Sequence, residues 1–321
     1  MLCAAALGAG YLLGRHAPAP ATDTSATAAP ASPTGPLPQR MSNTSTTSPR
    51  STPSVASTKT PLPPKGTPLK QTLAELQERA AGGDADAASR LARDLNKCTR
   101  IDDLKRTMPR VLTALLEDDY SKLSEEDLAW HEKALERYQK DLDFIRGNEA
   151  LCAGIGHDDL QTMTPALLRA AQLGDLASTN CYLGLGLFRA PGLLDHPEWL
   201  TDYKLYAQQL VQSAFEQGDW AVVGMLEHAY AGFFGADFLT QLTGIDPAAY
   251  YRYLRLQRLG ANGDFVAKLD KQIAAAQQDL TPQQITDGDA WAQDAYARYF
   301  NGSSSNELSN GVNYCNALME N

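Results

Sequence analysis

The dipeptide Gly-Asp falls at residues 83–84, 174–175, 218–219 and 263–264, with separations of 91, 44 and 45 residues. The first gap is two of the others, so a unit of about 45 residues recurs, the length of a helical hairpin with its loops. A unit that small cannot bury its own apolar face and does so only by stacking on its neighbours. Each Gly-Asp then has two tasks. Gly takes the left-handed conformation that ends one helix, and Asp offers its carboxylate to the free amides of the next. Small residues just upstream, Ala80, Ala81, Ala170, Ala171, Ala214 and Ala261, let paired helices approach closely.

Other local signals also predict helices. Thr67-Pro68, Thr164-Pro165, Asp246-Pro247 and Thr281-Pro282 each join a capping side chain to a proline that loses no hydrogen bond at a first helical position. After Ser124, the run EEDLAWHEKALERYQKDLDFIR puts Leu128, Leu135, Tyr138, Leu142 and Ile145 on one stripe, with charged residues opposite. No segment of comparable length alternates with period two. The expected fold class is all-α, an α-solenoid of stacked helical hairpins over residues 67–301, followed by a tail at 302–321.

The N-terminal part is different in kind. MLCAAALGAGYLLG is uncharged over 14 residues, and as a helix it reaches about 21 Å against a hydrocarbon core of about 30 Å. Residues 1–16 are therefore expected to be a signal peptide or a membrane anchor whose start lies upstream. No basic leader precedes the apolar run, and Arg15 follows it, which favours the anchor. The small residues of Ala17-Pro18-Ala19-Pro20-Ala21 keep cleavage open as the alternative, although proline so close to a scissile bond is unfavourable. Cys3 lacks the Leu-small-small run that lipid attachment requires and reads as a small apolar residue. Residues 17–66 form an expected disordered linker. The stretch 17–68 holds 12 of the 18 prolines and no aromatic residue, so nothing offsets the entropy of ordering it. Its proline density favours extended segments that act as a spacer.

Charge divides the chain in the same place. Residues 71–321 carry 22 Lys/Arg against 37 Asp/Glu, a net charge of −15 with histidines neutral. An acidic body disfavours nucleic acid, whose affinity comes from neutralising phosphates.

Over residues 166–230 the segments ALLRAAQLGDLASTNCYLGLGLFRAPGLL and YAQQLVQSAFEQGDWAVVGMLEHAY resemble the SEL-like repeat subgroup of tetratricopeptide-type proteins. Ala171, Gly174, Ala177, Leu183, Gly184, Phe188 and Gly192 occupy the places typical of such a unit. A partial unit follows from Tyr250 through Gly260, Ala261, Gly263 and Asp264. The charged helix at 124–146 departs from the pattern. The resemblance implies a scaffold or adaptor that binds protein or peptide through a concave surface, without a cofactor.

Four cysteines lie in the body, Cys98, Cys152, Cys181 and Cys315. An even number behind a membrane-directed segment suits an oxidising compartment, and four allow three pairings. The preferred set joins Cys98 to Cys152, expected after the second and fourth helices and so closing a four-helix unit, and Cys181 to Cys315, stapling the tail. Four buried thiols are the alternative. CxxC spacing is absent, so no metal is expected.

Motifs for catalysis are missing: HExxH, GxSxG and GxxxxGK do not occur. His157, Asp158 and Asp159 in GIGHDD read as a helix-capping loop. Glu227 and His228, adjacent on a helix, are expected to point apart. Trp199, Tyr203, Tyr206, Trp220, Tyr230, Tyr250, Tyr251 and Tyr253 are expected to be mostly core; a minority exposed on the inner face is the alternative, and would make a peptide-binding groove. The expected function is a non-enzymatic protein-interaction scaffold of the bacterial envelope, periplasmic and anchored in the inner membrane. The membrane is touched through the N-terminal segment only. The alternatives are a cell-wall hydrolase and a factor secreted after signal cleavage.

Overall fold

The computed structural model of the 321-residue chain describes residues 61–117, 122–186, 190–232, 238–305 and 314–319. The expected anchor and nearly all of the expected linker lie outside the described residues. Helix is the regular structure among the described residues, interrupted by an isolated parallel bridge between Ala261 and Ser305. The fold class is therefore all-α. No helix among the described residues is long and apolar enough to cross a membrane.

The chain begins with α1 (Leu69–Ala81) and α2 (Ala85–Glu117), then α3 (Glu125–Asn148). A short α4 (His157–Gln161) turns into α5 (Met163–Gln172), and α6 (Leu176–Cys181) continues as a wider turn over Tyr182–Gly186. Next come α7 (Glu198–Glu216), α8 (Trp220–Ala231) and α9 (Phe238–Thr243). The last helices are α10 (Pro247–Gly260), α11 (Asp264–Ala276) and α12 (Pro282–Ala295).

Three of the four Gly-Asp turns share one geometry. Gly83, Gly174 and Gly218 have φ of +92°, +94° and +76°. At each, the Asp amide donates to the carbonyl five residues back and the Gly amide to that three back, as in Asp175 to Ala170 at 3.1 Å and Gly174 to Ala171 at 3.0 Å. The Asp side chain then turns to the next helix: Asp84 accepts from the amides of Asp86 and Ala87, Asp175 from Ser178, and Asp219 from Ala221.

The fourth turn departs from expectation. Gly263 has φ +57° and ψ −144°, and Asp264 is the first helical residue rather than a cap. Helix α10 has already ended at Gly260, where the Ser305 amide donates to its carbonyl at 2.9 Å. A Cβ there would meet the Trp220 ring at 2.5 Å, so the crossing chain and the indole together fix the helix end. A further Gly-Asp at 288–289 is off the period and lies inside α12.

The proline starts divide evenly. Asp246 accepts from the amides of Ala248 and Ala249, and Thr281 from Gln284, each with proline next in the chain. Thr67 instead donates to the Pro64 carbonyl at 2.8 Å. Thr164 lies buried within α5, because Asp159 has already gathered the Gly156 amide at 2.9 Å and begun the helical path at His157.

The main core runs from Leu69 and Leu76 in α1 through Leu91 and Leu95 in α2, Leu167 in α5 and Tyr203 in α7 to Val222 and Leu226 in α8. Arg169 of α5 donates to the carbonyls of Ala80 and Ala81 at the end of α1. Two disulfides are present. Cys98 and Cys152 have sulfurs 2.04 Å apart, and Cys181 and Cys315 have theirs 2.07 Å apart. Cys98 lies inside the 33-residue α2, not after a helix as the sequence reading expects. Tail residues 314–319 dock beside α2, with Asn96 donating to the Cys315 carbonyl at 3.2 Å. Gly184 makes room for them, since a Cβ there would lie 2.5 Å from the Tyr314 ring.

Candidate protein-binding site on the α2 and α3 hairpin

Helix α2 outlasts the body that buries its first half. Beyond Cys98 its packing partner is α3, and the two share a thin seam. Ile101, Met108 and Leu115 recur every seven residues on α2 and are buried. Across from them His131, Tyr138 and Ile145 recur every seven on α3, with His131 and Ile145 buried and Tyr138 half-buried. Spacing of seven keeps one face toward a partner helix. Ser124 caps α3 through the Asp127 amide at 3.1 Å. The Cys98–Cys152 bond ties the base of the hairpin, because its two sulfurs bracket residues 99–151.

This seam corrects the stripe read from the sequence. Tyr138, Leu142 and Ile145 do pack toward α2, but Leu128 and Leu135 remain 37% and 41% exposed. His131 takes the inward place near the tip, and the two leucines are turned about 40 to 60° from it at 100° per residue.

Along one side of the seam runs an apolar groove of about 370 Å³. Thr107, Met108, Val111 and Ala114 line it from α2, and Trp130, Ala134, Arg137 and Tyr138 from α3. Trp130 is 62% exposed. Asp141 at the inner end is engaged by Arg100 at 3.0 Å, and the Arg100 guanidinium lies 4.6 Å over the Phe144 ring. The groove therefore offers apolar area and a guanidinium, with its carboxylate already neutralised. That suits a helix or extended segment with large apolar side chains.

The aromatic set of residues 199–253 is core, as expected, and supplies no exposed groove. Trp199, Tyr203, Trp220, Tyr230, Tyr251 and Tyr253 are buried. Tyr206 and Tyr250 are half-buried and pack against the main core. Arg252 stacks 5.3 Å over Tyr253 of this set and 4.8 Å over Trp291 of α12. Trp130 went unnoticed in the sequence; its signal was a large aromatic two residues off the α3 leucine stripe.

Of the remaining candidates, the GIGHDD loop behaves as a cap. Asp159 accepts from the Gly156 amide and pairs with Lys70 at 2.8 Å, which together hold its carboxyl below the usual range. Glu227 and His228 do not point apart: the His228 Nε2 comes 3.4 Å from Glu227 Oε2. Glu227 is 1% exposed, and burial pushes its carboxyl up to about 7 despite nearby Lys268 and Gln257. Burial also raises Asp219, against the hydrogen bond donated by Asn180 at 2.7 Å. Asp219 caps α8 and Glu227 lies within it eight residues on, about 12 Å along the helix axis. Among the described residues, no group of three His, Cys, Asp or Glu is placed to hold a metal ion.

No protein-family model matches the chain, and no curated protein or solved structure matches it either.

Proposed function

We propose that the chain is a protein-binding scaffold of the bacterial envelope, working outside the cytosol through the groove of the α2 and α3 hairpin. The groove carries this reading: an open apolar channel with an exposed tryptophan, on a hairpin braced at its base. Tryptophan and arginine are the residues that most often anchor protein contacts. The two disulfides support a compartment that does not reduce thiols. In the same proposal, the body is a SEL-like helical-repeat stack, and residues 1–16 hold it to the inner membrane through the 17–66 spacer. The repeat geometry shared by the turns at Gly83, Gly174 and Gly218 supports the stack.

Hydrolysis of a glycosidic bond most commonly uses two carboxylates facing one cleft. Asp219 and Glu227 lie apart and away from the groove, which favours the scaffold. The test is photocrosslinking in intact cells, with a photoreactive residue in place of Val111. One discrete adduct, lost when the probe is moved to the exposed but groove-distant Gln283, is the expected outcome. Adducts equal at both positions would refute the reading. Alkylation before reduction tests the compartment: Cys98, Cys152, Cys181 and Cys315 should all resist, and modification of every thiol would place the body in a reducing one.

A further inference from the structure

The hairpin carries a second apolar surface, opposite the groove. Leu128 and Leu135 are exposed and do not line the groove, whereas Trp130 and Arg137, each two residues further on, do. Two residues are about 200° of helix, so the leucines and the groove occupy opposite sides of α3. Charge divides the same way. Glu125 and Glu132 stand three before and four after Leu128, and Glu132 is also three before Leu135, so acids flank the leucines. On the groove side, Lys133 stands three after Trp130, Arg137 lines the channel, and Arg110 lies between Thr107 and Ala114 on α2. These three cations are exposed and form no ion pair among the described residues. Acids stand on the groove side too, and most are engaged: Asp141 pairs with Arg100, Asp103 of α2 pairs with Arg106, and Asp127 near the tip is held by Ser124, leaving Glu126 beside it.

We propose that the occupant of the groove is a second copy of this chain, docked through its acid-flanked Leu128 and Leu135 stripe. This rests on reading the groove as a protein-binding site. Charge complementarity argues for that occupant: a basic apolar channel and an acidic apolar stripe of the same helix have matching chemistry. The two surfaces differ, so the contact is head-to-tail. A bound pair still presents one free groove and one free stripe, and assembly proceeds to a ring or an open chain rather than stopping at a two-fold dimer.

Sedimentation velocity over a concentration series tests this with the oxidised protein. The expected wild-type result is a distribution that grows past the dimer. Val111→Glu in the groove and Leu135→Glu on the stripe should each leave a monomer with unchanged helical circular dichroism, since both positions are exposed. An equal mixture of the two variants should form a heterodimer and stop there, because one intact groove meets one intact stripe. A wild type that stays monomeric, a closed dimer, or assembly that survives either substitution would overturn the proposal. Crosslinking from Val111 to a different protein alone would also overturn it, while leaving the groove's role as a binding site standing.

Discussion

Glu227 offers a sharp test of the packing of α8 against α10. Its carboxyl is buried, with His228, Tyr250, Gln257 and Lys268 around it, and it holds its proton up to about 7 rather than 4.5. The unfolded chain releases that proton first. Below 4.5 both states are protonated and the group contributes nothing to the pH dependence. As pH rises from 4.5 to about 7 the folded state keeps a proton the unfolded state has lost, so stability falls, and above about 7 the loss is complete. At about 1.4 kcal/mol per pH unit, the interval corresponds to about 3 kcal/mol. Glu227→Gln keeps the shape of the protonated acid and removes the titration. Chemical denaturation of both proteins from pH 4 to 8 should give a difference near zero at the acid end and about 3 kcal/mol in favour of the variant at the alkaline end. A flat difference, or a variant less stable at alkaline pH, would show that Glu227 is ionised and paired in the folded state.

Three further outcomes follow from the geometry. Gly218→Ala should cost several times what Gly174→Ala costs in thermal unfolding: both sit at positive φ, worth about 1 to 2 kcal/mol against a side chain, but only at Gly218 would the Cβ meet a backbone oxygen, that of Tyr299, at 2.3 Å. Equal losses would remove that contact from the account. Replacing Cys181 and Cys315 by serine should lower stability by about 5 kcal/mol in the chain-entropy treatment, their separation being 134 residues. It should also expose residues 314–319 to protease, and an unaltered cleavage pattern would show that the tail docks without its bond. Trp130→Ala should leave unfolding within about 0.5 kcal/mol of wild type, as for surface positions generally, while weakening capture by the groove; a large stability loss would make Trp130 a core residue.

Much of the architecture was legible because its signals are local. Asp175, Asp219, Asp246 and Thr281 cap helices with side chains that reach only two or three residues, and Gly83, Gly174 and Gly218 answer a backbone need of the same range. The failures came where a distant segment decides. Gly263 looks like the other turn glycines, yet Ser305 and Trp220 close α10 at Gly260 before that turn is reached. Thr164 has the sequence of a cap, but Asp159 begins the helical path earlier. The site was the least legible part. Its inward position falls to His131 rather than to either neighbouring leucine, and a periodic reading that ranks residues by hydrophobicity assigns the seam to Leu128 and Leu135. The groove exists because that assignment fails.

The Cys98–Cys152 bond links this misassigned seam to the proposed compartment. Ile101, Met108, Leu115 and Ile145 are few apolar residues to hold so long a hairpin, and α3 rests on α2 rather than on the body. Closing a separation of 54 residues removes freedom from the unfolded chain worth about 4 kcal/mol in the same treatment. Cys98→Ser with Cys152→Ser should therefore leave the body folded and loosen the hairpin first. Amide exchange under native conditions distinguishes the cases: protection should fall across residues 101–148 while α8 and α10 keep theirs. Uniform loss would mean that hairpin and body unfold as one unit. Unchanged protection would mean that the seam holds itself, and the groove would then keep its shape in a reducing compartment as well as in an oxidising one.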